Sequence, residues 1–262
     1  MLNAQRLLFG FHLDAMAMED VIERCRVAMS TRETVLLGVL NAAKIVKARA
    51  DPVLRNSLME CNVLLADGQS IVWASRLLGR PLPERVAGID VFQQLLMLAH
   101  RERRSVYLLG ARPDVLEALR RRLSKRFPGL RIAGCRDGYF TEAESEAVAA
   151  GIRRCRPDML FLGMTSPKKE IFLGRFGASL GVPVLHGVGG SFDILAGVTR
   201  RAPQAWQRAG MEWAYRVLQE PRRLWWRYLA TNTAFLALTA REFVRPTSAY
   251  RPSIGGPRAV DR

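Results

Sequence analysis

The feature that most constrains this chain is the recurrence of short apolar runs that stop at glycine or a polar residue and give way to helical spacing. Ser105–Leu109 stops at Gly110, and Met159–Gly163 and Val182–Gly187 behave alike. Thr34–Leu40, Val63–Ala66 and Leu130–Gly134 read as further strands, and Leu7–Leu13 reads as one more. Helical spacing fills the gaps over Met16–Met29, Ala42–Arg49, Pro52–Cys61, Ile89–Arg101, Pro113–Arg126, Glu142–Cys155 and Pro167–Ser179. Strands that are apolar throughout need cover on both faces, which is the habit of parallel sheets. The fold class expected is therefore α/β, a Rossmann-like, doubly wound, mostly parallel sheet over residues 1–202. At 262 residues the chain holds one such domain and a short appendage. After Ala202-Pro203 the pattern is helical from Gln204 to about Val244, with a break near Pro221, which predicts a helical C-terminal appendage over 203–245. Residues 246–262 carry Pro, Gly and Ser without periodicity and are expected to lack fixed structure.

Charge narrows the partners. The net charge is +16, and from Arg200 onward twelve Arg, no Lys and four acids give 12 − 4 = +8, half of it. Such a balance draws a protein toward nucleic acid, anionic lipid or phosphate-bearing substrates, although a solvated basic tail is the plain alternative. Cys25, Cys61, Cys135 and Cys155 are scattered, which excludes a zinc-ribbon spacing and a secreted disulfide framework. The N-terminus lacks a basic stretch followed by a long apolar run, and no window is apolar enough to span a bilayer. The expected location is cytoplasmic, bound peripherally to the inner face of the cell membrane. The candidate anchor is Glu220–Leu229, where Arg222, Arg223 and Arg227 mix with Trp225, Trp226 and Tyr228. Arginine with interfacial aromatics suits a helix lying among anionic headgroups. A helix packed on its own domain or on a partner subunit is the other reading, and a homo-oligomer is left open.

In an open parallel sheet, ligands gather outside the carboxyl ends of the strands. Those ends present Asn41, Asp67-Gly68, Gly110, Ser166–Glu170 and the turn Gly187–Ser191 followed by Asp193. Asp67 stands out, because a carboxylate between a buried strand and Gly68 can approach a substrate hydroxyl as a general base must. An N-cap for the next helix is the competing role. The turn holding Gly189 could bring backbone N–H groups to a phosphate or be a plain tight turn. There is no Asp-x-Asp pair for a divalent ion on a nucleotide, and His12, His100 and His186 show no metal spacing, so no metal and no cofactor is expected. Arginine is then the available partner for a diphosphate. Pro81–Val86 presents one such residue, Arg85, on a stiff loop, with a structural salt bridge as the alternative.

Several stretches resemble the WecG/TagA/CpsF glycosyltransferase family: Leu64–Phe92, Val106–Leu119, Phe127–Phe140, Pro157–Glu170 and Gly187–Leu229, in order and across most of the chain. The resemblance implies an inverting, metal-independent transferase that takes a UDP-sugar donor and an acceptor sugar on undecaprenyl diphosphate, in surface or exopolysaccharide synthesis. It also implies a C-terminal appendage that docks on an anionic membrane surface. By the same resemblance Asp67 matches the catalytic base and Arg85 the arginine near the diphosphate. Asn41 and Asp193 match polar pocket positions, and Arg216, Arg222, Arg223 and Arg227 fall in the segment that reaches the leaving group. Gly68, Lys169 and Gly189 complete the expected substrate contacts. Two departures bear on the donor: Val39 stands where many members have threonine, and Lys169 where the pattern usually reads glutamine. The expected transfer is of a hexose or N-acetylhexosamine, with glucose as an alternative to N-acetylmannosamine. A basic nucleic-acid-binding protein is the rival from another class, but no binding motif supports it. A dehydrogenase on the same sheet lacks its GxGxxG.

Overall fold

The structure, a computed structural model, describes residues 4–251. β1 (Gln5–Leu8) and β2 (Phe11–Asp14) form an antiparallel hairpin, followed by α1 (Met18–Thr31), β3 (Val35–Leu40), α2 (Ala42–Ala48), α3 (Pro52–Met59) and β4 (Val63–Ala66). Next come α4 (Gln69–Leu77), α5 (Gly88–Arg101), β5 (Ser105–Gly110), α6 (Pro113–Arg126), β6 (Arg131–Arg136), α7 (Ser145–Cys155), β7 (Met159–Gly163), α8 (Lys168–Phe176), β8 (Val184–Gly187) and α9 (Ser191–Ala196). The hairpin corrects the single strand expected over Leu7–Leu13. Its turn falls on Phe9-Gly10, both with positive φ (52° and 86°), and phenylalanine is a residue that signals no turn.

Six strands form one sheet in the order β4-β3-β8-β7-β5-β6, every pairing parallel. The alternation of side chains divides its two faces. Leu37, Leu65, Leu108, Phe161 and Val184 point toward a cluster completed by α1, α5 and α6, while Leu109, Leu160 and Leu185 point to the α7 and α8 side. β4 and β5 are buried at every position, so each large apolar side chain there contributes roughly 1.5–3 kcal/mol. From β3 the chain steps outward to β4, whereas after β8 it turns the other way, α9 packing on α6. The order of winding therefore reverses between the neighbours β3 and β8, and a crevice opens there at the carboxyl edge.

Three helices follow: α10 (Gln204–Arg208), α11 (Glu212–Gln219) and α12 (Pro221–Val244). Besides the break at Pro221, the helix is interrupted at Gly210, whose φ of +69° and close approach to Gln69 leave no room for a side chain. The far end of α12 belongs to the core. Phe235 is buried against Phe9 with ring centroids 5.4 Å apart, and the helix runs along α2. Glu242, 2% exposed, accepts hydrogen bonds from Phe9 N–H (3.3 Å) and Thr247 N–H (3.0 Å) and pairs with Arg80. The near end of α12 carries Trp225 and Trp226 outward. Among the described residues, no helix is long and apolar enough to cross a membrane. Residues 246–251, within the segment expected to lack fixed structure, run back over the hairpin, with Tyr250 N–H bonded to the Gly10 carbonyl at 2.8 Å and its ring edge-on to Phe11. The remainder of that segment, 252–262, lies outside the described residues.

Candidate active site at the carboxyl edge

β3 ends at Leu40 and hands over to Asn41, whose Oδ1 accepts from Lys44 N–H at 3.0 Å and caps α2. One helical turn brings Lys44 back over the strand, where its Nζ donates to the Val39 carbonyl at 2.7 Å. On the neighbouring strand end, Asp67 N–H donates to the Leu40 carbonyl at 2.7 Å, fixing Asp67 at the edge of the sheet. The next helix starts without it: α4 is capped at Gly68 with no side-chain cap bond, so the N-cap role considered for Asp67 is not the one it takes. Its carboxylate instead accepts from Gly88 N–H at 3.4 Å. Gly68 keeps the approach open, since an added Cβ would meet only Ser70 and Asn41 at ordinary contact distance.

The surroundings tune both charges. Burial pushes the Asp67 carboxyl from its ordinary 3.8 up to about 6, while Lys44 and then Arg85 pull it down and Glu212 pushes it up. Burial, then the nearby Lys169, lowers Lys44 from 10.5 to about 8, against the pull of Asp67 and Glu170. Near neutral pH the carboxylate is thus ionised yet poorly solvated, a combination suited to taking a proton.

Across the switch point, Lys169 in the first turn of α8 pairs with Glu170 at 2.5 Å and lies over Gly187, where a Cβ would come within 2.8 Å of its Cε. The second oxygen of Glu170 is buried without a hydrogen-bond partner among the described residues. Val39, Lys44, Lys169, Glu170 and Gly187 wall a cavity of about 40 Å³, which suits water-sized occupants and excludes a hexose. His186, fully buried, braces the same floor through Nε2 to the Gly88 carbonyl (3.1 Å), and burial lowers it to about 4, leaving a neutral ring.

The stiff loop before α5 is tied to β4 by Val86 N–H to the Ala66 carbonyl at 3.0 Å, which stations Arg85 beside Asp67. Arg85 is not idle: it pairs with Glu212 of α11 at 2.6 Å and with Asp90 at 3.6 Å. At the turn after β8, the N–H groups of Val188 and Gly189 both go to the Leu162 carbonyl, so Gly189 (φ +51°) offers open space over its backbone and no free donor. Asp193 sits beyond it, in the field of Arg112. Arg216, Arg222 and Arg227 are exposed on α11 and α12 and form no ion pair among the described residues. Arg223 lies in α12, but its side chain is outside the described ones. Lys44, His186, Arg201 and Glu212 were not singled out by sequence reasoning. Only Lys44 left a signal, standing three residues beyond a capping asparagine.

Winding, crevice and a desolvated carboxylate among cations define an α/β enzyme of the group-transfer class. The profile of the Glycosyl transferase WecG/TagA/CpsF family matches residues 6–249, and the chain belongs to that family. It is a glycosyltransferase. One similar protein, from Bacillus subtilis (strain 168), is 35% identical over 195 residues, covering 74% of this chain and 75% of the relative, and is named N-acetylglucosaminyldiphosphoundecaprenol N-acetyl-beta-D-mannosaminyltransferase. A second, with the same name, from Bacillus spizizenii (strain ATCC 23059 / NRRL B-14472 / W23), is 36% identical over 196 residues, 75% of each chain.

Proposed function

We propose that this enzyme moves a hexose or N-acetylhexosamine from UDP onto a sugar carried by undecaprenyl diphosphate, with inversion and without a metal ion, in bacterial surface or exopolysaccharide synthesis. The observation that carries the reading is Asp67, a poorly solvated carboxylate at the switch point that caps no helix and feels the charges of Lys44 and Arg85. The relatives' names support a lipid-linked acceptor. In the reaction, Asp67 takes the proton of the acceptor hydroxyl as its oxygen bonds to the anomeric carbon. The bond from that carbon to the UDP oxygen breaks, and the electron pair leaves with the diphosphate. Guanidinium groups meet that charge, a preorganised role worth about 3 kcal/mol per donor. Asn41, Gly68, Lys169, Gly189 and Asp193 border the space left for the donor.

Trp225 and Trp226, 60% and 73% exposed beside Arg222 and Arg227, support docking of α12 on an anionic membrane surface. The donor has two readings. The relatives' names point to N-acetylmannosamine, whereas Val39 and Lys169, which depart from the family's usual threonine and glutamine, leave glucose as the alternative. Purified enzyme with a lipid-linked acceptor and a panel of UDP-hexoses tests the reading, with and without EDTA. Product is expected in both cases, and dependence of turnover on magnesium or manganese would sink the mechanism. Replacing Trp225 and Trp226 by serine is expected to release the protein from anionic vesicles in flotation while UDP binding persists. Continued flotation removes the docking surface.

A further inference from the structure

Arg85 belongs to a closed ring of four charges. Its Nη1 meets Glu212 at 2.6 Å and its Nη2 meets Asp90 at 3.6 Å. Arg201, in the loop after α9, completes the ring: Nη1 and Nη2 grip Asp90 in a fork at 2.5 and 2.8 Å, and Nε reaches Glu212 at 3.2 Å. Both arginines are largely buried, with 14% and 17% of their side chains exposed. Three of the four members sit on the core, Asp90 in the first turn of α5, whereas Glu212 arrives on α11. Neither α10 nor α11 has a fully buried residue, and α11 rests on its neighbours through Tyr215 against Trp206 and Trp213 against Tyr228 of α12, ring centroids 5.8 and 6.0 Å apart. The ion ring ties α11 to the core directly, aided by Gln219 on the Arg200 carbonyl and by Gly210 against Gln69 and Trp73.

We propose that Arg201 is a second diphosphate-binding residue beside Arg85, and that the Glu212 carboxylate holds the diphosphate's place between the two guanidinium groups until the donor displaces it. This deepens, and rests on, the UDP-sugar reading given above. Glu212 takes one nitrogen from each guanidinium, Arg85 Nη1 on one oxygen and Arg201 Nε on the other, and such charge-assisted donors suit phosphate oxygens equally well. The ring also lies within electrostatic reach of Asp67, which both Arg85 and Glu212 influence. Displacement by a diphosphate would therefore exchange the Glu212 charge near the base for the diphosphate's own and loosen α11 in the same event, leaving the appendage free to reposition once the donor is bound.

Titration calorimetry of the full-length protein with UDP and, separately, pyrophosphate tests this. Arg201→Met is expected to weaken both about tenfold, and Glu212→Gln to tighten both about three- to tenfold, because a competing charge is gone. A ring that only braces the fold holds no ligand between its guanidinium groups, so it predicts no tightening for Glu212→Gln. Unchanged or weaker binding by Glu212→Gln overturns the proposal, as does unchanged binding by Arg201→Met. Wild-type protein that takes pyrophosphate with this pattern but not UDP keeps the anion site and refutes the donor reading, and protein that takes neither refutes both. Hydrogen exchange over residues 212–219 is expected to accelerate when UDP is added, and protection there counts against displacement.

Discussion

Replacing Asp67 by asparagine should separate chemistry from folding in opposite directions. The carboxyl rises from 3.8 to about 6 on folding, mainly through burial. A folded value above the unfolded one means that the native state binds more protons across that window, so stability is highest below pH 4 on this account and is lost as pH climbs through about 6. Two units at 1.36 kcal/mol each give about 3 kcal/mol, and partial exposure lowers that to between about 1 and 3 kcal/mol. Asparagine keeps an oxygen for Gly88 N–H but carries no charge to desolvate. Urea unfolding at pH 7.5 should therefore find Asp67→Asn more stable than wild type by that margin, and the gain should vanish near pH 4. Turnover should fall by about 10²–10⁴, the worth of a positioned base, with UDP affinity retained. A variant that turns over at near the wild-type rate, or that is less stable at pH 7.5, refutes the reasoning.

Lys44 is the strongest charge holding the Asp67 carboxyl down, so Lys44→Met should move the acid limb of the kcat/KM–pH profile upward from about 6, and an unmoved limb would detach Lys44 from the base. Lys169→Gln leaves the buried Glu170 without its cation; a loss of about 1–3 kcal/mol in unfolding free energy is expected, together with a changed ratio of UDP-N-acetylmannosamine to UDP-glucose use. Phe235→Ala opens a hole between α12 and the hairpin and should lower stability by about 3–5 kcal/mol in chemical denaturation. For that reason a truncation after Ala202 tests folding before it tests membrane docking.

What could be read from the residues was what depends on neighbours in the chain. The runs at Ser105 and Met159 could be read as parallel strands because burial on both faces erases alternation, and Asp67 could be picked out because it ends such a run before glycine. The hairpin could not, since its turn puts Phe9 in a left-handed conformation that the surrounding core, not local preference, imposes. The second helix break, at Gly210, has no local mark beyond one glycine, because the close approach of Gln69 and Trp73 that requires it comes from a distant part of the chain. The ion ring joins Arg85 to Glu212 across 127 residues, and no spacing rule reaches that far. Lys44 and His186 acquire their character from burial between strands whose order in the sheet differs from their order in the chain.

The dual seating of α12 limits how this protein can be recombined. Its tryptophan end looks like a detachable module, but its Phe235 and Glu242 end is keyed to Phe9, Arg80 and α2, the helix that carries Lys44. Chimeras that exchange only the stretch after Ala202 with a relative would pair a foreign key with this lock and fail in expression, whatever their substrates. A workable crossover must carry the β1–β2 hairpin and α2 along with it, so segments far apart in the chain have to be inherited together.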